Sequence, residues 1–105
     1  MLNQVILVGR LTSDIEVVKD ENGAKYAVIT LAIPRNFKNA DGEYDTDFIS
    51  AIAYDNVAAN TAEYVSKGDI VGVKGRTAKI SQDSELKIIA EKITFLSKSK
   101  PEESE

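Results

Sequence analysis

The feature that most constrains this chain is its punctuation. Short runs rich in β-branched residues recur along 105 residues, separated by turn signals and interrupted once by a helical pattern. Val5-Ile6-Leu7-Val8 is apolar on both faces, as expected for a strand covered on both sides. Residues 15–19 and 25–33 flank Asp20-Glu21-Asn22-Gly23, where Asn-Gly readily takes positive φ and predicts a hairpin. Asn39-Ala40-Asp41-Gly42 is a second turn, joining the 25–37 segment to a strand over 46–54. Residues 70–76 and 86–93 read as strands, with Ser81-Gln82-Asp83-Ser84 turning between them. Gly72 and Gly75 would weaken an ordinary strand, so they point to a bend or a close backbone approach. Only residues 56–67 break the pattern. Ala58, Ala59, Ala62 and Val65 lie at helical spacing, with Asp55 as the expected N-cap and Gly68 as the C′ residue, for about three turns. The expected fold class is all-β with one short helix, a small partly open barrel rather than a sandwich.

What the chain lacks excludes several chemistries. There is no cysteine and no histidine, so disulfides, cysteine- or histidine-ligated metals and Ser–His or Cys–His catalytic pairs are impossible. Asp41, Glu43, Asp45 and Asp47 alternate in a loop but lack the spacing and closing glutamate of an EF-hand, so a solvated acidic loop is expected rather than a metal site. No nucleophile has an activating partner, so the chain is not expected to be an enzyme, and no cofactor is implied. No apolar run approaches the length of a membrane span, and residues 1–11 lack the basic flank and cleavage site of a signal peptide. These features fit an intracellular protein. The length suits a single core, with a domain over 1–96. Residues 97–105 hold only Ser, Lys, Glu and one Pro, the composition of a disordered acidic tail. Thirteen basic against seventeen acidic residues give a net charge of −4, which opposes nonspecific phosphate binding unless a groove is locally positive.

The segment 46–54 carries the most chemical information. Ile49, Ala51 and Ala53 can face a core, while Thr46, Phe48, Ser50, Ile52 and Tyr54 share the other face because strand side chains alternate. At about 3.3 Å per residue, Phe48 and Tyr54 stand roughly 20 Å apart, room for several nucleotides. Arg35 and Phe37 on the preceding segment share a parity with each other. Unpaired bases stack on aromatic rings while cations follow the backbone, at about 1–3 kcal/mol per base. On pattern alone the competing reading, core or cross-strand packing of these rings, stays open. Gly72-Val73-Lys74-Gly75-Arg76 lacks P-loop spacing and reads as strand, with Lys74 or Arg76 able to reach a phosphate.

The opening, Met1-Leu2-Asn3-Gln4-Val5-Ile6-Leu7-Val8-Gly9-Arg10-Leu11, resembles that of bacterial and phage single-stranded-DNA-binding proteins. The resemblance continues in order through Asp14-Ile15-Glu16, Ile29-Thr30-Leu31-Ala32, Arg35-Asn36-Phe37, Thr46-Asp47-Phe48-Ile49, Glu63-Tyr64-Val65-Ser66-Lys67-Gly68, Gly75-Arg76 and Ala90-Glu91-Lys92-Ile93, covering about residues 1–96. It implies an OB-fold, a five-stranded Greek-key barrel. It also implies assembly as a homotetramer, with a dimer of dimers as one arrangement, that coats single-stranded DNA with little sequence preference. The implied setting is replication, recombination or repair in the cytoplasm, at the nucleoid. Phe37, Phe48 and Tyr54 match the family's stacking positions, and Arg10, Arg35, Lys74, Arg76 and Lys79 are the implied phosphate contacts.

Departures from the family pattern temper this. Ile80 stands near a position where relatives stack an aromatic, its hairpin is shorter than usual, and Asp55-Asn56 replace residues that are often basic. All three are expected to weaken DNA binding or shorten its footprint. Asp14-Ile15 replaces a usual Asp-Pro. The end, Pro101-Glu102-Glu103-Ser104-Glu105, has no terminal Phe, so tail-mediated recruitment of partner enzymes is not expected, as in a short accessory, phage or mobile-element version. The alternative is an OB-fold interaction module with weak or lost DNA binding, its acidic surface meeting a basic protein.

Overall fold

A computed structural model describes residues 1–79 and 81–97; Ile80 and the tail over 98–105 lie outside the described residues. The elements are β1 (Val5–Leu11), β2 (Val18–Lys19), β3 (Lys25–Lys38), β4 (Tyr44–Tyr54), α1 (Asp55–Tyr64), β5 (Ile70–Ala78) and β6 (Lys87–Ser97). The strands join in the order β1-β5-β6-β4-β3-β2, and a further β1–β3 pairing closes the sheet on itself. The result is a five-strand OB-fold barrel with β2 as a short extra edge. Closure requires β1 to serve two neighbours. It pairs with β5 from Val5 to Arg10, then with β3 through Arg10 and Leu11. The remaining seam is a parallel bridge between Ile52 of β4 and Ile89 of β6.

Alternation builds the core. Ala27, Ile29 and Leu31 of β3 face inward opposite Ala53, Ala51 and Ile49 of β4, and Val71 and Val73 of β5 join them. Ala58 and Val65, from α1 and the residue after it, complete the cluster at one end of the barrel. Gly75 sits at a register shift between β5 and β6, where a Cβ would overlap the Ile89 carbonyl, so the expected close approach is real there. Gly72 is different: its nearest neighbour lies at 3.7 Å, an ordinary contact.

Several boundaries differ from those the sequence suggests. The helix stops at Tyr64 rather than Lys67, and Gly68 is not its C′ residue. The Asp69 carboxylate accepts the Ser66 N–H at 2.9 Å and the Asp14 carboxylate accepts the Lys67 N–H at 2.7 Å. Side-chain acceptors thus take over backbone donors that a longer helix would have used. Gly68 instead donates its N–H to the Leu11 carbonyl, tying the turn to β1. Asp55 is not the N-cap either. Tyr54 holds that position without a side-chain cap bond, and Asp55 takes a left-handed φ of 51°. The strand expected over 15–19 shrinks to β2, while Ile15 and Val17 pack against the core from the loop. Ser97, expected in the tail, ends β6. Finally, β1 is covered on one face only: Leu7 and Leu11 point inward, whereas Ile6 and Val8 remain 66% and 50% exposed.

Candidate functional site

The β3–β4 register decides which side chains share the outer wall. Tyr26 lies opposite Tyr54, Val28 opposite Ile52, Thr30 opposite Ser50 and Ala32 opposite Phe48. Their odd-numbered neighbours fill the core, so period-2 alternation forces this even-numbered set outward. Phe48 is 68% exposed and Tyr54 43%, so neither ring is a core residue. Between them the Thr30 and Ser50 hydroxyls share a hydrogen bond of 2.8 Å. The Tyr26 and Tyr54 rings meet with centroids 6.5 Å apart and planes tilted by 48°.

Phe37 is 64% exposed but stands apart from this row. The β3–β4 register shifts between Pro34 and Lys38, so Phe37 rides the outer arm of the hairpin beyond the regular ladder. That arm turns where the Asn39 side chain accepts the Asp41 and Glu43 N–H groups at 2.8 and 3.0 Å.

Across from Phe48 the β5–β6 hairpin leans over the wall. A groove of about 430 Å³ runs between Val28, Phe48, Ser50 and Ile52 on one side and Glu85, Leu86 and Lys87 on the other. Leu86 and Lys87 were not singled out from the sequence, because only the folded hairpin brings them to β4.

The five candidate cations do not form one cluster. The Arg35 guanidinium grips the Asp47 carboxylate with contacts of 3.0 and 3.2 Å, and Asp45 lies 3.8 Å away. The hydrogen bond from Arg35 and its charge hold the Asp47 carboxyl below the usual range, and the same bond raises Arg35 further. Arg76 pairs with Glu91 at 3.4 Å. Lys79 donates to the Gln82 carbonyl at 3.3 Å within the β5–β6 turn. Arg10 donates to the Gly68 carbonyl at 2.8 Å. Lys74 lies opposite Ile6, which puts it with Arg10 on the β1–β5 wall rather than beside the rings. Tyr26 escaped the sequence reading. Its even parity in β3 was a visible signal, but its pairing with Tyr54 depends on a register that the hairpin irregularity displaces.

Among the described residues no cluster of histidine, cysteine or carboxylate side chains could hold a metal ion, and no helix is long and apolar enough to cross a membrane. The arrangement offers flat rings, hydroxyls and a shallow groove, which suits binding of planar groups.

Comparison with known proteins agrees in kind. The sequence model of the single-strand binding protein family matches residues 2–96. Single-stranded DNA-binding protein B of Bacillus subtilis is 46% identical over 85 residues, covering 81% of this chain and 75% of that protein. Single-stranded DNA-binding protein 2 of Staphylococcus aureus is 39% identical over 103 residues, covering 91% of this chain and 74% of that protein.

Proposed function

This chain belongs to the single-strand binding protein family, and on that premise we propose that it coats unpaired DNA by stacking bases along the β3–β4 wall. It is a binding protein and not an enzyme. The observation that carries the reading is the exposure of Phe48 and Tyr54 on one wall, with no carboxylate on the Thr30–Ser50 row between them. Bases stack on these two rings, and Phe37 extends the track onto the hairpin arm. Little sequence preference follows, because every base has a π-face. Arg35 on the β3–β4 hairpin, Arg76 and Lys79 on the β5–β6 hairpin, and Arg10 and Lys74 on the β1–β5 wall neutralise phosphates. Two of these cations already face carboxylates, so few new ion pairs form and affinity falls only gently with salt.

The functional unit in this reading is a homotetramer, built as a dimer of dimers, at unpaired DNA in the cytoplasm during replication, recombination or repair. Ile6, Val8 and Leu96 form an exposed apolar face that association would bury. Joining several grooves on one strand raises avidity through effective concentration.

The test is titration of a labelled oligo-dT with the protein carrying Phe48→Ala and Tyr54→Ala together. At about 1–3 kcal/mol per stacked base, affinity should fall at least tenfold while the oligomer persists. Unchanged affinity overturns the reading. The carboxylate partners of Arg35 and Arg76 favour one rival, an interaction module with weak DNA binding. Absence of any mobility shift of single-stranded DNA, even at protein concentrations of about 10⁻⁵ M, where nonspecific binders already associate, would favour it.

A further inference from the structure

We propose that Tyr26 is a positioning residue that holds the Tyr54 ring in its stacking pose before DNA arrives; this rests on the stacking reading above. Three observations converge on Tyr54. First, Tyr26 sits directly opposite it in the β3–β4 ladder, and the two rings touch at 6.5 Å with a 48° tilt. That distance and tilt fall in the favourable range for aromatic pairs. Second, Tyr26 has its own neighbour on the far side, because Val18 of β2 pairs with it. The row Val18–Tyr26–Tyr54 runs across three strands, so Tyr26 has a cross-strand neighbour on both sides. Third, the backbone leaves Tyr54 through a sharp corner. Tyr54 is extended, with φ −117° and ψ 151°, and Asp55 follows in the left-handed region at φ 51°. Non-glycine residues reach that region at a cost, and Asp is among the few that tolerate it. The corner sends α1 toward the core through Ala58, leaving Tyr54 anchored between strand and helix.

Phe48 supplies an internal contrast. Its cross-strand partner is Ala32, which is too small to brace a ring, and Phe48 is the more exposed of the two. An unbraced side chain must lose rotamer freedom when a base stacks on it, and a braced one has already lost it. Tyr26 thereby raises affinity at Tyr54 without contacting the base.

A double-mutant cycle on the full chain tests this, with binding read from the anisotropy of a labelled oligo-dT. Tyr26→Ile removes the ring but keeps a strand-favouring side chain, and Tyr26→Phe keeps the ring. Tyr54→Ala should lose about 5- to 150-fold in affinity. Tyr26→Ile should lose about 2- to 10-fold, the scale of one immobilised side chain, and Tyr26→Phe should bind like the parent. In the Tyr54→Ala background, Tyr26→Ile should produce no further loss. An equal loss in both backgrounds overturns bracing and makes Tyr26 an independent contact. Parent-like binding by Tyr26→Ile overturns it as well. If Tyr26→Ile melts earlier, the tyrosine ring resonances at a temperature where it is folded decide: faster Tyr54 ring motion supports the proposal, and unchanged motion overturns it. Parent-like binding by Tyr54→Ala would instead overturn the stacking reading on which the proposal rests.

Discussion

The barrel has two walls that expose apolar side chains, and they do so differently. On the β3–β4 wall the exposed groups include two flat rings, Phe48 and Tyr54, with the Thr30–Ser50 hydroxyl pair and the half-exposed Val28 between them. On the β1–β5 wall they are branched aliphatics, Ile6 and Val8, with Leu96 of β6 packed close enough to approach Gly72. Rings spaced by hydroxyls present separate π-faces that a planar ligand can cover one at a time. Contiguous aliphatics have no such face, and their exposure is relieved only by burial against a similar surface. In the proposed reading, the kind of apolar group, more than its quantity, separates the wall that takes bases from the wall that takes another subunit.

The largest effect that can break this comparison is loss of the rings. Phe48→Ala with Tyr54→Ala should cost about 2–6 kcal/mol of DNA binding if both rings stack, while size-exclusion chromatography with light scattering finds the oligomer unchanged. If the oligomer dissolves instead, the two walls are not independent. The next effect comes from the opposite wall. Val8→Asp should dissociate the oligomer by the same measurement and lower the affinity for long oligonucleotides by about 100-fold through lost avidity, with short oligonucleotides hardly affected. A tetramer that survives Val8→Asp removes the β1–β5 wall from consideration as the association face.

Gly75→Ala probes the hairpin that leans over the rings. A Cβ there would overlap the Ile89 carbonyl, so the β5–β6 register must shift, at about 1–3 kcal/mol by the usual scale of overpacking. Chemical denaturation would measure it, and stability equal to the parent would show that the strand pair yields freely.

The smallest effect sharpens the electrostatics. Asp47→Asn should free Arg35 for phosphate, raising affinity a few-fold and steepening the salt dependence by about 0.7 in log–log slope, the value of one phosphate contact on a single strand. The same pair predicts a pH dependence of stability. Arg35 lowers the Asp47 carboxyl in the folded state, so the unfolded chain binds the proton more readily. The stabilisation is complete above the ordinary aspartate range and is lost as pH falls through the depressed value. Melting temperature followed from neutral to acidic pH should decline less steeply for Asp47→Asn than for the parent. An identical decline would show that the pair contributes nothing in solution.

Much of the architecture was legible because alternation is a local property. Residues 46–54 already showed which side chains would face inward, and Ala51 and Ala53 are indeed buried beneath Phe48 and Tyr54. The turns at 20–23 and 39–42 were equally local, each written by an Asx side chain beside a glycine. The helix end was not. It depends on Asp69, which accepts the Ser66 N–H within the turn, and on Asp14, whose carboxylate reaches the Lys67 N–H across 53 residues only once the barrel has closed. Nor was the one-sided cover of β1 legible, since an apolar run looks the same whether both faces are buried within one chain or one face is left outward.

Taken alone, the order of residues determined the strands, the single helix, the outward rings of 48 and 54 and the resemblance to a family, because each follows from spacing within a short window. The tertiary structure decided the rest: Tyr26 against Tyr54, Asp47 against Arg35, Glu91 against Arg76 and Leu86 across from Phe48. Such pairings are set by strand register, and register accumulates over bulges and turns far from the residues it finally brings together.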